Sequence, residues 1–90
     1  MVITLFKNLI ESYINNMSIN DVIMFSKKEN IRLNDNEYLN IYNYIKSNWY
    51  IIINDEEKVK EYLNNNFSSD KSEKIYQIFL KYKKRYSAYL

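Results

Sequence analysis

Glycine, proline, cysteine and histidine are all absent from these 90 residues. Without glycine, the tight type I′ and II′ hairpins that require positive φ lose their usual residue. Turn-rich β architecture is disfavoured on that ground. Without cysteine there is no disulfide framework, and a reducing, cytoplasmic setting is expected. Without histidine and cysteine, the common nucleophilic pairs, acid–base groups and zinc ligands are missing. No glycine-rich phosphate loop or metal-ligand spacing takes their place. The expectation is a protein that is not an enzyme and that takes no cofactor and no metal.

What is present favours a packed helical domain. A hydrophobic fraction of 47% with 27% charge belongs to a globular chain, since disorder would need far fewer apolar residues. The length suits one domain, residues 1–90, with one modest core. Met1 to Ile14 is apolar, but Lys7 and Glu11 interrupt it and no small-residue cleavage site follows. It falls short of the ~18 apolar residues of a membrane span, so it reads as a first amphipathic helix. Eleven lysines, two arginines and fourteen asparagines match the codon bias of an AT-rich genome, a statement about nucleotides rather than function.

Helix starts recur along the chain. Ser18 to Asp21, Asn34 to Glu37 and Asn54 to Glu57 each place a capping side chain three residues before an acid. The cap accepts from an orphan N–H and the acid suits the positive end of the helix dipole. Ser68 or Ser69, followed by Asp70 and Glu73, makes a fourth start. Helix ends carry asparagine: Asn16, Asn30, Asn48 and Asn64 to Asn66. After glycine, asparagine best tolerates the left-handed residue that closes many helices.

Between these marks the apolar residues follow helical spacing. Helix one (about 2–16) aligns Ile3, Phe6, Ile10, Tyr13 and Ile14 as its core stripe. Helix two (about 19–29) offers Val22, Ile23 and Phe25, and helix three (about 35–47) offers Tyr38, Ile41, Tyr42 and Ile45. Helix four (about 55–65) presents Val59, Tyr62 and Leu63. Helix five (about 70–88) presents Ile75, Ile78, Phe79, Tyr82 and Tyr86. Trp49 to Ile53 is β-branched and aromatic without a polar break, and reads as an extended connector plugging the core, with a paired strand as the alternative. Leu33, Asn34, Ile41 and Ile45 are echoed at identical offsets by Phe67, Ser68, Ile75 and Phe79.

Candidate chemistry is concentrated at one end. Residues 1–70 hold seven basic and ten acidic groups, whereas residues 71–90 hold six basic and one acidic. In helix five Ile75, Ile78, Phe79, Tyr82, Tyr86 and Tyr89 share a stripe, flanked by Lys74, Lys81, Lys84 and Arg85. Those cations could serve phosphate contact with tyrosines for base stacking, an acidic protein surface, or an anionic membrane surface. They also serve as the solvated edge of a core stripe and complement the negative helix end. An exposed Leu80 would belong to a homodimer contact. Glu57 and Glu61 share a face at i, i+4, but Lys58 and Lys60 sit among them, so that face reads as solvated charge.

The order of motifs resembles a known family. Phe6-Lys-Asn-Leu-Ile is followed by Tyr13-Ile-Asn-Asn-Met-Ser-Ile-Asn-Asp-Val-Ile and Phe25-Ser-Lys-Lys-Glu-Asn-Ile. Leu33-Asn34, Ile53-Asn-Asp-Glu-Glu and Ser68-Ser-Asp-Lys-Ser-Glu-Lys-Ile complete the series. Across about residues 5–82 this is similar to small proteins of low-GC Gram-positive bacteria grouped as domain of unknown function 2624. Ile51-Ile-Ile-Asn54 and the tail after Tyr82 depart from that pattern. The resemblance implies a bacterial, cytoplasmic helical domain and brings no activity, cofactor or site residue.

The resulting expectation is an all-α, single-domain bundle of about five helices, with one short extended connector at 49–53 and a basic C-terminal helix. The leading functional expectation is a non-catalytic protein-interaction or regulatory module with a protein partner. The alternative is a nucleic-acid-binding domain using Lys74, Lys81, Lys84 and Arg85.

Overall fold

Four of the helices in the chain start at a side chain that answers an orphan backbone N–H. The computed structural model describes residues 2–87, with side chains from 8 to 85. The helices are α1 (Val2–Asn16), α2 (Ile19–Lys28), α3 (Asp35–Asn54), α4 (Glu56–Asn66) and α5 (Ser69–Ser87). No strand occurs among the described residues, and the architecture is all-α. Ser18 with Asp21, and Asn34 with Glu37, form complete reciprocal capping boxes at the starts of α2 and α3. Ser68 accepts from the Lys71 N–H at 3.4 Å to start α5.

The expected extended connector is instead helix. Trp49 to Ile53 continues α3 to Asn54, beyond a kink at Asn48 with φ −129° and ψ 18°. The β-branched run costs only a few tenths of a kcal/mol per residue in a helix, and burying its side chains outweighs that. Ile51, Ile52 and Ile53 are all half-buried. Because α3 runs through Asn54, the start of α4 moves by one residue. Asp55, not Asn54, accepts from the Lys58 N–H at 3.2 Å.

Asparagine closes helices in two different ways. Asn30 has φ 60°, the one positive φ among the described residues. The Ile31 N–H reaches the Ser26 carbonyl at 2.9 Å and the Asn30 N–H reaches the Lys27 carbonyl at 3.1 Å. That is a Schellman end with asparagine in the glycine position, and Ile31 beyond it is buried. Asn16, Asn54 and Asn66 do something else. Each donates its side-chain amide to the carbonyl four residues earlier, at 2.8, 2.9 and 2.8 Å. Each carbonyl lies one turn before the helix end, so the side-chain bond reinforces the last turn. Asn48 makes the same bond to the Tyr44 carbonyl at the kink, at 3.2 Å.

Packing follows the chain order. α1 ends against the middle of α3, where Lys46 donates to the Asn15 carbonyl at 2.9 Å and Tyr42 to the Met17 carbonyl at 3.4 Å. α2 rests on the start of α3, where the buried Ser26 and Tyr38 hydroxyls share a hydrogen bond of 2.8 Å. α4 and α5 run antiparallel: Ser72 donates to Asn64 at one end, and Lys83 pairs with Glu56 at the other. The main core is Val59, Leu63 and Phe67, with Leu33, Ile41, Ile52, Ile75 and Phe79 against it. Both halves of the sequence echo meet there, and the matching positions Glu37 and Lys71 form an ion pair at 2.8 Å.

Two core expectations fail at the edges. Tyr13 points to solvent rather than inward, and Phe25 is more than a third exposed. Ile3 and Phe6 of the same helix-one stripe lie outside the described side chains. So do Tyr86 and Tyr89 of the helix-five stripe, and residue 88 lies outside the described residues.

Candidate interaction surfaces

Helical register and tertiary contacts distribute the basic flank of α5 over three environments. Lys74 pairs with Asp70 one turn earlier at 3.3 Å, both well exposed. Lys81 reaches Glu29 at the end of α2, at 3.5 Å. The Arg85 guanidinium lies 5.2 Å from the centre of the Tyr82 ring. Lys84 is directed elsewhere: with Glu56, Leu80 and Lys83 it lines a shallow depression of about 280 Å³ at the start of α4. The fold therefore brings together Lys81 and Arg85, but not the four predicted cations.

Sequence reasoning overlooked the centre of that patch. Glu29 accepts from the Tyr82 hydroxyl at 2.7 Å, and Phe25 packs on the Tyr82 ring with centroids 5.1 Å apart. The Tyr82 hydroxyl, aided by Lys81 and Lys28, holds the Glu29 carboxyl below its ordinary value despite opposing desolvation. Lys28 thereby joins Lys81 around one neutralising acid, with Arg85 over the adjoining Tyr82 ring. The signal was present: an acid at a helix C-terminus opposes the dipole and needs a partner from elsewhere.

A second surface is uncharged. An open groove of about 500 Å³ runs between α3 and α4, lined by Asn36, Leu39, Asn43, Ser47 and the rings of Tyr44 and Tyr62. The two rings are stacked, 3.6 Å between centroids and 4° between planes. Tyr62 donates to Asn40, which donates in turn to Asn66 at 3.2 Å. Burial, reinforced by Tyr44, pushes the Tyr62 hydroxyl up to about 12. The groove offers amides and hydroxyls but no acid or base that titrates near neutrality.

A third feature is apolar. Leu9, Tyr13, Met24, Leu39 and Tyr50 are large apolar side chains that the fold leaves outward. Leu80 is half-buried and does not stand out as a contact residue. Glu57 and Glu61 are exposed, as a solvated face should be. Among the described residues no three acids converge into a metal-binding group, and no helix is long and apolar enough to cross a membrane.

Comparison with family models, curated proteins and solved structures finds no match to this chain. The resemblance in motif order thus stands on the residues quoted for it and adds no site residue.

Proposed function

We propose that the chain is a non-catalytic interaction module that works through protein contacts in the bacterial cytoplasm. The observation that carries this reading is the outward placement of Leu9, Tyr13, Met24 and Leu39 on a small helical domain. Monomeric proteins scatter single apolar residues on their surfaces, while protein interfaces are enriched in aromatic residues and methionine. The charged groups support the same reading, because Lys71, Lys74, Lys81 and Lys83 each pair with an acid of the chain itself.

One observation favours a second reading, nucleic-acid binding. Lys28 and Lys81 both act on Glu29, and Arg85 lies over Tyr82, whose ring packs against Phe25. The two readings separate by salt. About four phosphate contacts would lose roughly 100-fold in affinity between about 50 and 200 mM salt, whereas an apolar interface would hold. Tagged protein drawn from native lysate, with and without nuclease, should retain protein partners through that salt step. Replacing Lys81, Lys84 and Arg85 together by glutamate should leave those partners bound. Partners lost on nuclease treatment, or lost in the triple variant with its helicity intact, would transfer the function to nucleic acid.

A further inference from the structure

Residues 49–53, Trp-Tyr-Ile-Ile-Ile, form the longest unbroken run of aromatic and β-branched side chains in the chain. No charge lies between Lys46 and Asp55, and neither proline nor glycine interrupts the stretch. High β preference, low charge and no proline over about six or seven residues mark segments that stack as cross-β ladders. Other uncharged stretches carry their own breaks. Asn15 and Asn16 interrupt 12–20, Asn40 and Asn43 interrupt 38–45, and Lys74 and Lys81 guard both ends of 75–80.

The folded chain holds this run as helix, and the hold is tertiary. α3 leaves helical geometry at Asn48, so residues 49–54 form a separate last stretch of about a turn and a half. Ile52 packs against the Val59, Leu63 and Phe67 core, and Ile51 and Ile53 are half-buried. Tyr50 is 54% exposed. Burial favours helix here, whereas the intrinsic preference of isoleucine, tryptophan and tyrosine favours strand. Helix ends open locally at lower cost than the whole fold. Opening the end of α3 removes the burial and leaves the preference.

A freed strand needs partners for its backbone N–H and C=O groups. Among the described residues the chain offers no strand to pair with, and no second run has this composition. The same run in other copies does fit. Stacked in register, each tryptophan, tyrosine and isoleucine meets its own kind in the interdigitated packing of a steric zipper. We propose that residues 49–53 are a self-association segment, helical in the folded chain and paired as a cross-β strand between copies once the end of α3 opens. The outward residues behind the interaction-module reading lie elsewhere, so the two stand or fall separately.

The test shakes the full chain at neutral pH in urea that unfolds about a tenth of it, followed by thioflavin T fluorescence and fibre diffraction. The expected result is fibres with a reflection at about 4.7 Å. Their protease-resistant core, read by mass spectrometry, should contain residues 49–53. No aggregate, an aggregate without that reflection, or a core that omits 49–53 overturns the proposal. Tyr50→Lys sets a charge in every rung and should lengthen the lag about tenfold or more. Met24→Lys, at another outward apolar position, should leave the lag within about twofold. An unchanged lag in Tyr50→Lys, or equal slowing by Met24→Lys, also overturns it. Each variant is assayed at the urea concentration that leaves the same fraction unfolded, so fold stability drops out of the comparison. Should Tyr50→Lys fail to fold, the core map of the unaltered chain decides.

Discussion

Tyr82 and Glu29 are 53 residues apart in the chain, yet the tyrosine hydroxyl donates to the carboxylate at 2.7 Å. This bond joins the last turn of α2 to the last turns of α5 and sets the charge state at the centre of the basic edge. Removing the hydroxyl with Tyr82→Phe should let the Glu29 carboxyl rise back toward its ordinary value, since Tyr82 is the largest cause of its depression. A carboxyl-carbon NMR titration would show it, and Lys81→Met should shift the carboxyl in the same direction.

Acid should weaken the fold through Glu37. Its carboxyl is held below the ordinary 4.5, first by Lys71 and then by the Asn34 N–H. A depressed folded-state value means stability that is present above about pH 4.5 and lost as pH falls through the folded value. Urea midpoints should therefore drop between pH 5 and 3, and Glu37→Gln should flatten that drop.

Alkali should weaken it through Tyr62. Its hydroxyl titrates near 12 against the ordinary 10, because burial disfavours the phenolate. A raised folded-state value contributes stability below pH 10 that disappears as pH climbs toward 12. Tyrosinate absorbance should show Tyr62 titrating late, along with Tyr44, which burial also raises, and Tyr62→Phe should remove the Tyr62 component.

The Schellman end at Asn30 predicts an ordering of substitutions. Asn30→Ala forces a Cβ-bearing residue without a helpful side chain into φ 60°, and should cost about 1 kcal/mol. Asn30→Gly should be neutral or better. Chemical denaturation of the two variants checks the sign of the difference.

Leu63 is the most buried apolar side chain described, at 3% exposure. Leu63→Ala should cost about 2–5 kcal/mol by lost transfer energy and the cavity left behind. Leu9→Ala, on the outward face of α1, should change monomer stability by less than about 0.5 kcal/mol. Thermal melts of the two variants would compare them.

Much of the helical frame was legible because it is written in local chemistry. Ser18, Asn34 and Ser68 cap the helices where their spacing to the following N–H groups requires. Trp49 to Ile53 was misread because its strand-like composition speaks to weak intrinsic preference. What decides its conformation is burial of those isoleucines in the packed fold, together with the turn of register that Asn48 introduces. The shift of the α4 cap to Asp55 follows from the same cause. The site was less legible than the frame. The flank of Lys74, Lys81, Lys84 and Arg85 is visible on a wheel, but its separation depends on Glu29 and Glu56, which come from other helices. Tyr13 matched the spacing of a core residue, and spacing does not say how many neighbours a helix has.

The clasp between α1 and α3 divides evolutionary freedom unequally between its two sides. Lys46 and Tyr42 grip the carbonyl oxygens of Asn15 and Met17 rather than their side chains. Every residue type has such an oxygen, so positions 15 and 17 can drift without loosening the grip. Positions 42 and 46 cannot: each must keep a donor long enough to reach across. In a set of divergent descendants, the end of α1 should vary freely while a hydroxyl or amine persists at those two places on α3.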